Sequence, residues 1–354
     1  MASLTVSAYY TRRTINYAII VVIVFIILKI IWTITVNVWI ASHPPPPPPP
    51  NMAYGKLPLV SFSNSCKNYD LTFKLETISG NFPESSPSAR IYFMPILSAN
   101  LLSLERADEK AKKMGFTLPP NSLSKEGYQW FDELNPLRSL RVNIVTGNLK
   151  LSYDYTKDLS LLQNKNLPLS ENAIEEAKNT LDNYELLNDD LRNGEINVTN
   201  YKLINNVLQE VGGVAEADFV KVQFLRSKVN DFSVLTPGSN EAPASVTFSG
   251  SNDTIKRVIE LKYNYQLIDQ GNFATYLIKT PQTAFEELKK RKGCIADQGT
   301  LNGKERIIRN IYVAYYDSLI LQTYLQPIYV FEGDKGFRAY TNAVNDEWLE
   351  LPPK

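Results

Sequence analysis

Residues 14–41 read TINYAIIVVIVFIILKIIWTITVNVWIA, 28 residues with a single charge, and this run is longer than the roughly 20 residues that carry a helix across hydrocarbon. Tyr17 and Trp39 are 22 residues apart, about 33 Å at about 1.5 Å per residue, which suits aromatic rings at the two interfaces. Arg12 and Arg13 precede the run and no Lys or Arg follows it until Lys56, so the positive-inside bias places residues 1–13 in the cytoplasm and residues 42–354 outside. The run is too long for a cleaved leader and leaves as VWIAS, which predicts an uncleaved signal anchor in the plasma membrane. The Arg pair in TRRTINY is an incomplete twin-arginine pattern ahead of an anchor-length run.

Lys29 sits near the middle of the run, where a lone charge costs about 2.5–3.5 kcal/mol on insertion scales. Two readings stand side by side. Its stem lies along the acyl region with the ammonium reaching for an interface, or the ammonium meets an acidic group on a partner helix.

Beyond the anchor, Pro44–Pro50 is an unbroken run of seven prolines, which as polyproline II spans about 22 Å and acts as a stiff stalk. Recognition by a proline-binding groove is disfavoured because such modules work mainly in the cytoplasm. The expected organisation is a tail at 1–13, a transmembrane helix at 14–41, a stalk at 42–56, one α+β unit at 57–160 and a second at 161–354.

The outer part alternates between two periodicities. Residues 101–115, LLSLERADEKAKKMG, place Leu104, Ala107, Ala111 and Met114 on one helix face, with Asp108–Lys112 and Glu109–Lys113 spaced for ion pairs on the others and Gly115 as the stop. LRVNIVTGNLKLSYDY at 140–155 alternates apolar and polar residues about Gly147 and Asn148, a hairpin. A second helix is expected from Ser170 as N-cap, with Ala173, Ala177 and Leu181 on its apolar face. Val220, Val222 and Phe224, then Ile259, Leu261, Tyr263, Tyr265 and Leu267, mark half-buried strands. Thr280 and Pro281 open a third helix that Gly293 ends. IRNIYVAYY at 308–316 and IYVFEGDKGFRAY at 328–340 complete an antiparallel set. The fold class is therefore α+β: one N-terminal transmembrane helix, then extracytoplasmic helix-plus-antiparallel-sheet modules.

Composition narrows the chemistry. Lys plus Arg and Asp plus Glu number 37 each, which gives no reason to expect a nucleic-acid partner. Twenty Tyr and fifteen Phe against four Met favour sheet. The single histidine, His43, rules out His-based triads, His-rich zinc sites and His general bases. Ser122 and Lys125 form S-x-x-K, but in a polar loop and without the S-D-N and K-T-G partners of the acylating enzymes. Asp189 with Asp190, and Asp317, lie in no D-x-D-x-D-G loop and read as solvated acids. Gly212 and Gly213 lack the lysine and further glycines of a phosphate loop and read as a turn. Cys66 and Cys294 both fall on the outer side, where a disulfide is chemically allowed.

The segments IKTPQTAFEELKKRKGC at 278–294, AYYDS at 314–318 and LQPIYVFEG at 325–333 resemble the tail of the YycI and YycH envelope regulators, and the likeness extends to PepSY-type modules. That resemblance covers less than a third of the chain. It implies a non-catalytic adaptor, carried on one membrane helix, that modulates a membrane sensor kinase or restrains an envelope peptidase. The expectation is a binding protein with no cofactor and no catalytic or metal-ligating residues, whose partner is another membrane or envelope protein. The competing classes are an envelope enzyme acting through carboxylates on glycans and a structural surface spacer.

Overall fold

The apolar run forms one helix, α1 (Leu4–Ser42), and within it Tyr17–Trp39 is long and apolar enough to cross a membrane, with none of its side chains packed inside the protein. The computed structural model describes residues 4–42, 49–62, 70–163, 165–301 and 303–350; for residues 4–16 and 40–42 it describes the backbone alone. His43, Cys66 and the first five of the seven prolines in Pro44–Pro50 lie outside the described residues. The chain divides into two units, Met1–Pro49 and Pro50–Lys354.

The second unit is a mixed α+β, sheet-rich domain. Its first sheet has nine strands, in spatial order Asn121–Ser122, Gly127–Phe131, Arg138–Asn143, Leu149–Tyr153, Val258–Tyr263, Ala244–Ser249, Phe219–Phe224, Ile196–Ile204 and Val207–Val211, all neighbours antiparallel. Helices α2 (Ser103–Lys113) and α3 (Ser170–Asn183) lay their small faces on it. Ala107, Ala111 and Met114, then Ala173, Ala177 and Leu181, share one core with Trp130, Leu151, Val222 and Phe248. Alanine at these positions lets each helix backbone approach the sheet closely, so the helix spacing and the choice of residue are one fact. Gly115, at φ +88°, takes the left-handed turn that ends α2.

Short helices α4 (Asp189–Arg192) and α5 (Thr254–Arg257) connect strands of this sheet. Helix α6 (Pro281–Lys289) serves the second sheet, where Ala284, Phe285 and Leu288 pack on Ile308, Tyr329, Phe331 and Ala339. The second sheet is built on the Glu305–Tyr316, Tyr324–Gly333 and Phe337–Asn342 strands, paired antiparallel in that order. Cys294–Gln298 adds to the last of these, and Thr72–Leu75 and Val234–Leu235 run parallel to the first. Ser88–Phe93 joins it to the Asp269–Leu277 strand.

Three local expectations are corrected. The N-cap of α3 is Leu169, and Ser170 is the first helical residue with no side-chain cap bond. Glu109 and Lys113 do not pair, because Lys113 reaches Glu185 at 2.7 Å. Gly293 is not the residue that turns after α6; Arg291 takes the positive φ of 60°, and a Cβ on Gly293 would stand 2.4 Å from the Tyr340 carbonyl oxygen. That glycine is required for close packing of backbone on backbone. Thr280 caps α6 as read from sequence, its hydroxyl accepting from the Thr283 amide.

Residues 57–160 and 161–354 are not the folded layers. Leu149–Tyr153 pairs with Val258–Tyr263, and Ser88–Phe93 with Asp269–Leu277, so both sheets draw strands from either side of residue 160. Leu57–Pro58 pairs in parallel with Leu349–Glu350, which ties the two ends of the unit together. Long-range closure of this kind leaves no local sequence signal.

Candidate functional site

The junction of the two sheets is organised by a buried arginine. Arg226 follows the Phe219–Phe224 strand, and its side chain is 1% exposed. Nε donates to Asp317 Oδ2, Nη1 to Asp190 Oδ2 and Nη2 to the Gln266 carbonyl, each at 2.6 Å. The guanidinium lies 4.3 Å from the centre of the Tyr265 ring. Burial works against its charge, but Asp317 and Asp190 outweigh that and hold its pKa above the ordinary arginine value. Three chain segments therefore meet on one planar fork, the geometry that makes arginine rather than lysine the suitable cation.

Gln266 extends the junction. Its Nε2 donates to the Gln322 carbonyl at 2.7 Å and to the Met94 carbonyl at 3.2 Å, and its Oε1 accepts from the Gln322 amide at 3.1 Å. Tyr263, the last residue of the Val258–Tyr263 strand, and Tyr265, just beyond it, stack at 5.7 Å. Their hydroxyls donate to Asn188 Oδ1 at 2.7 Å and Asp190 Oδ1 at 3.0 Å. Burial, then the Asp190 charge, pushes the Tyr265 hydroxyl up to about 12, and burial raises Tyr263 as well.

Over this floor opens a cleft of about 360 Å³, a size that accommodates a compact ligand or a few side chains of a partner. Lys110 of α2, Asn188 and Asn264 supply polar groups, and the rest of the lining is largely apolar. Burial pulls the Lys110 ammonium below its ordinary pKa, with Glu185 opposing. The rim is apolar and exposed: Leu97 is 66%, Leu267 58%, Ile320 54% and Leu321 46% accessible. A second groove of about 320 Å³ continues from it, sharing Leu97, Lys110, Thr146 and Gly147.

The loop that presents Ile320 and Leu321 is fixed rather than slack. Asp317 Oδ1 accepts from the Leu319 amide at 3.0 Å, and the Ser318 hydroxyl donates to Gln322 Oε1 at 2.6 Å. Leu319 sits at φ +58°, a region a bulky residue avoids, and backbone strain of this kind persists only where surrounding bonds impose it. Three consecutive apolar residues, Leu319–Leu321, thus occupy a turn between sheet strands where polar residues would be cheaper.

The residues singled out from sequence distribute as follows. Asp190 and Asp317, read as solvated acids, instead flank Arg226; burial of Asp317 comes from tertiary packing that spacing does not reveal. Ser122 is exposed and its hydroxyl donates to the Ser124 carbonyl at 3.1 Å, with Lys125 exposed beside it. Gly212, at a bend, and Gly213, in extended backbone, follow the Val207–Val211 edge strand, and neither forms the turn read from sequence. Cys294 is 1% exposed and disulfide-bonded, while Cys66 lies outside the described residues. Lys29 is in the middle of α1 with its side chain exposed. Among the described residues no group of three or more His, Cys, Asp or Glu side chains is arranged to hold a metal ion. Arg226 and the Leu319–Leu321 turn went unread in the sequence; the SLIL run after AYYD was the available signal.

Fold and site together define a mixed α+β domain with an apolar-rimmed cleft at a sheet junction, preceded by a helix able to span a membrane. No family model matches the chain and no curated protein matches it. Among solved structures, an uncharacterized protein from Eubacterium rectale ATCC 33656 is similar over 73% of this chain and 84% of its own, at 11% identity and a TM-score of 0.36.

Proposed function

We propose that the chain is a non-catalytic binding protein, anchored by α1 with its N-terminus in the cytoplasm, whose extracytoplasmic cleft docks an apolar segment of another membrane or envelope protein. The observation that carries this reading is the strained, bonded turn that holds Ile320 and Leu321 out beside Leu97 and Leu267. Exposed apolar side chains clustered at a concave site that also holds a few polar groups mark binding surfaces, whereas a mere spacer has no use for them. The resemblance of residues 278–333 to YycI-type and PepSY-type tails supports a regulatory role, with a membrane sensor kinase or an envelope peptidase as the partner class.

Carboxylate catalysis on glycans gains no support from the buried acids. Asp132, Asp218 and Asp317 are the buried carboxylates among the described residues, and each is ion-paired, to Arg138, Lys165 and Arg226. Each of these carboxylates is thus already committed to a cation of the fold, and no two of them share a partner.

The test is site-specific photo-cross-linking from position 97 or 320 in intact membranes, with identification of the adduct. Ile320→Asp introduced into the position-97 probe protein, and Leu97→Asp into the position-320 probe protein, should remove the adduct while leaving thermal stability unchanged, because both side chains face solvent. Adducts that survive both charged substitutions would refute docking at this cleft.

A further inference from the structure

We propose that the membrane helix is itself a heterotypic docking element, in which Lys29 pairs with a carboxylate in the transmembrane helix of a different protein. The proposal rests on reading α1 as a span and names the chemistry of the partner.

Lys29 is the only charged residue between Tyr17 and Trp39. It lies 12 residues from the first and 10 from the second, about 18 and 15 Å along a helix. An extended lysine stem reaches about 6 Å over five bonds, so snorkelling leaves the ammonium well short of either interface. The charge needs a partner at its own depth.

The same face carries further polar groups. Lys29, Thr33 and Asn37 are spaced by four, which stacks them in one stripe along the helix. The Thr33 hydroxyl is already spent on the Lys29 carbonyl at 2.8 Å, and that of Thr35 on the Ile31 carbonyl at 2.8 Å, the back-bonding that threonine adopts in apolar surroundings. Among the described residues, the Lys29 ammonium and the Asn37 amide have no such intrahelical partner. Both remain available to a neighbouring helix, where side-chain hydrogen bonds substitute for the missing water.

Charge decides what that neighbour is. Residues 1–69 contain no Asp or Glu; the first acid in the chain is Asp70. The span and its flanks therefore cannot neutralise Lys29, and a second copy of the chain would set lysine against lysine in a medium where like charges repel strongly. The complementary occupant is a helix of another protein bearing Asp or Glu near mid-membrane.

The experiment places a photo-cross-linking residue, benzoylphenylalanine, at Val22 or Ile26 on the Lys29 face, and at Val24 or Ile31 on the opposite face, in the full chain in its native membranes. The expected result is an adduct from the first pair only, with a protein whose identified span carries an acid at matching depth. Its yield should fall at least tenfold in Lys29→Leu and persist in Lys29→Arg. It should return when Lys29→Asp is combined with replacement of the partner's acid by lysine. Lys29→Leu removes a charge from the span, so its insertion is not in question. An unchanged yield in Lys29→Leu, an adduct with a second copy, a partner without an intramembrane acid, or no adduct at all would each overturn the proposal. Cleft cross-links from positions 97 and 320 that survive such a result refute the span pairing alone.

Discussion

Replacing Arg226 with methionine keeps most of the side-chain volume and removes the three hydrogen bonds that its guanidinium makes at the sheet junction. Asp317, whose side chain is 4% exposed, and Asp190, at 20%, then lose the cation that each meets at 2.6 Å. Gln266 also loses a donor to its carbonyl. Breaking a buried ion pair from one side costs about 3–5 kcal/mol, because the remaining charge stays buried without compensation. For a unit of this size, about 2 °C in Tm accompanies each kcal/mol, so the loss amounts to about 6–10 °C. Thermal unfolding of the detergent-solubilised chain, followed by circular dichroism at neutral pH, measures it. The double variant Arg226→Met with Asp317→Leu should recover part of the loss, since the stranded carboxylate is gone, and Arg226→Lys should fall between parent and Met because a compact ammonium cannot reach three acceptors set around the separate nitrogens of a planar fork. A Tm for Arg226→Met within 2 °C of the parent would show that the junction does not depend on this charge.

Other perturbations probe separate parts of the molecule. Asp158 is held below its ordinary value of 3.8 by hydrogen bonds from Lys256, Ser160 and Tyr153; a depressed carboxylate stabilises the fold above its unfolded pKa and loses that contribution as pH falls below it. The urea midpoint of the parent should therefore drop more steeply below about pH 4 than that of Asp158→Asn. Tyr265, with its hydroxyl near 12, should vanish from the alkaline absorbance titration in Tyr265→Phe as the loss of a late-titrating phenol, not one titrating near the ordinary value of about 10. Ala111→Leu, at a fully buried contact of α2 with the first sheet, should cost about 1–3 kcal/mol through overpacking, whereas Glu109→Ala on the exposed face should change the urea midpoint very little.

Periodicity made the local elements legible and left their assembly dark. The α2 face of Ala107, Ala111 and Met114, the α3 face of Ala173 and Ala177, the Thr280 cap and the hairpin around Gly147 all announce themselves within a dozen residues, and each is present. A boundary near residue 160 looked natural because one helix-and-hairpin group had closed there. The sheet ignores it: Leu261 faces Leu151 in the ladder, and no spacing rule reports a pairing over more than a hundred residues. The strand expected to run through Leu267 stops at Tyr263, since the chain must leave the sheet for Gln266 to bridge Met94 and Gln322. Alternation continues past the strand in sequence, so this ending could not be read from it. The acids were misread for a related reason. Asp190 and Asp317 look solvated until Arg226, distant from both in sequence, is placed between them.

That arginine also links stability to the proposed docking surface. Asp317 uses one oxygen for Arg226 and the other for the Leu319 amide, so the carboxylate that secures the sheet junction is the one that holds the strained turn under Ile320 and Leu321. A charge buried solely for stability is weakly justified, because apolar replacements often do as well. Its persistence here is better explained by the conformation it enforces: a Leu at φ +58° would relax without an acceptor for its amide. Asp317→Asn distinguishes the two roles, because the amide oxygen can still cap Leu319 while the ion pair is lost. If presentation of the turn is what matters, Asp317→Asn should lower Tm yet retain the cross-links from positions 97 and 320, whereas Asp317→Leu should lose both. Equal loss of cross-links in the two variants would mean that the turn is held by something other than this carboxylate.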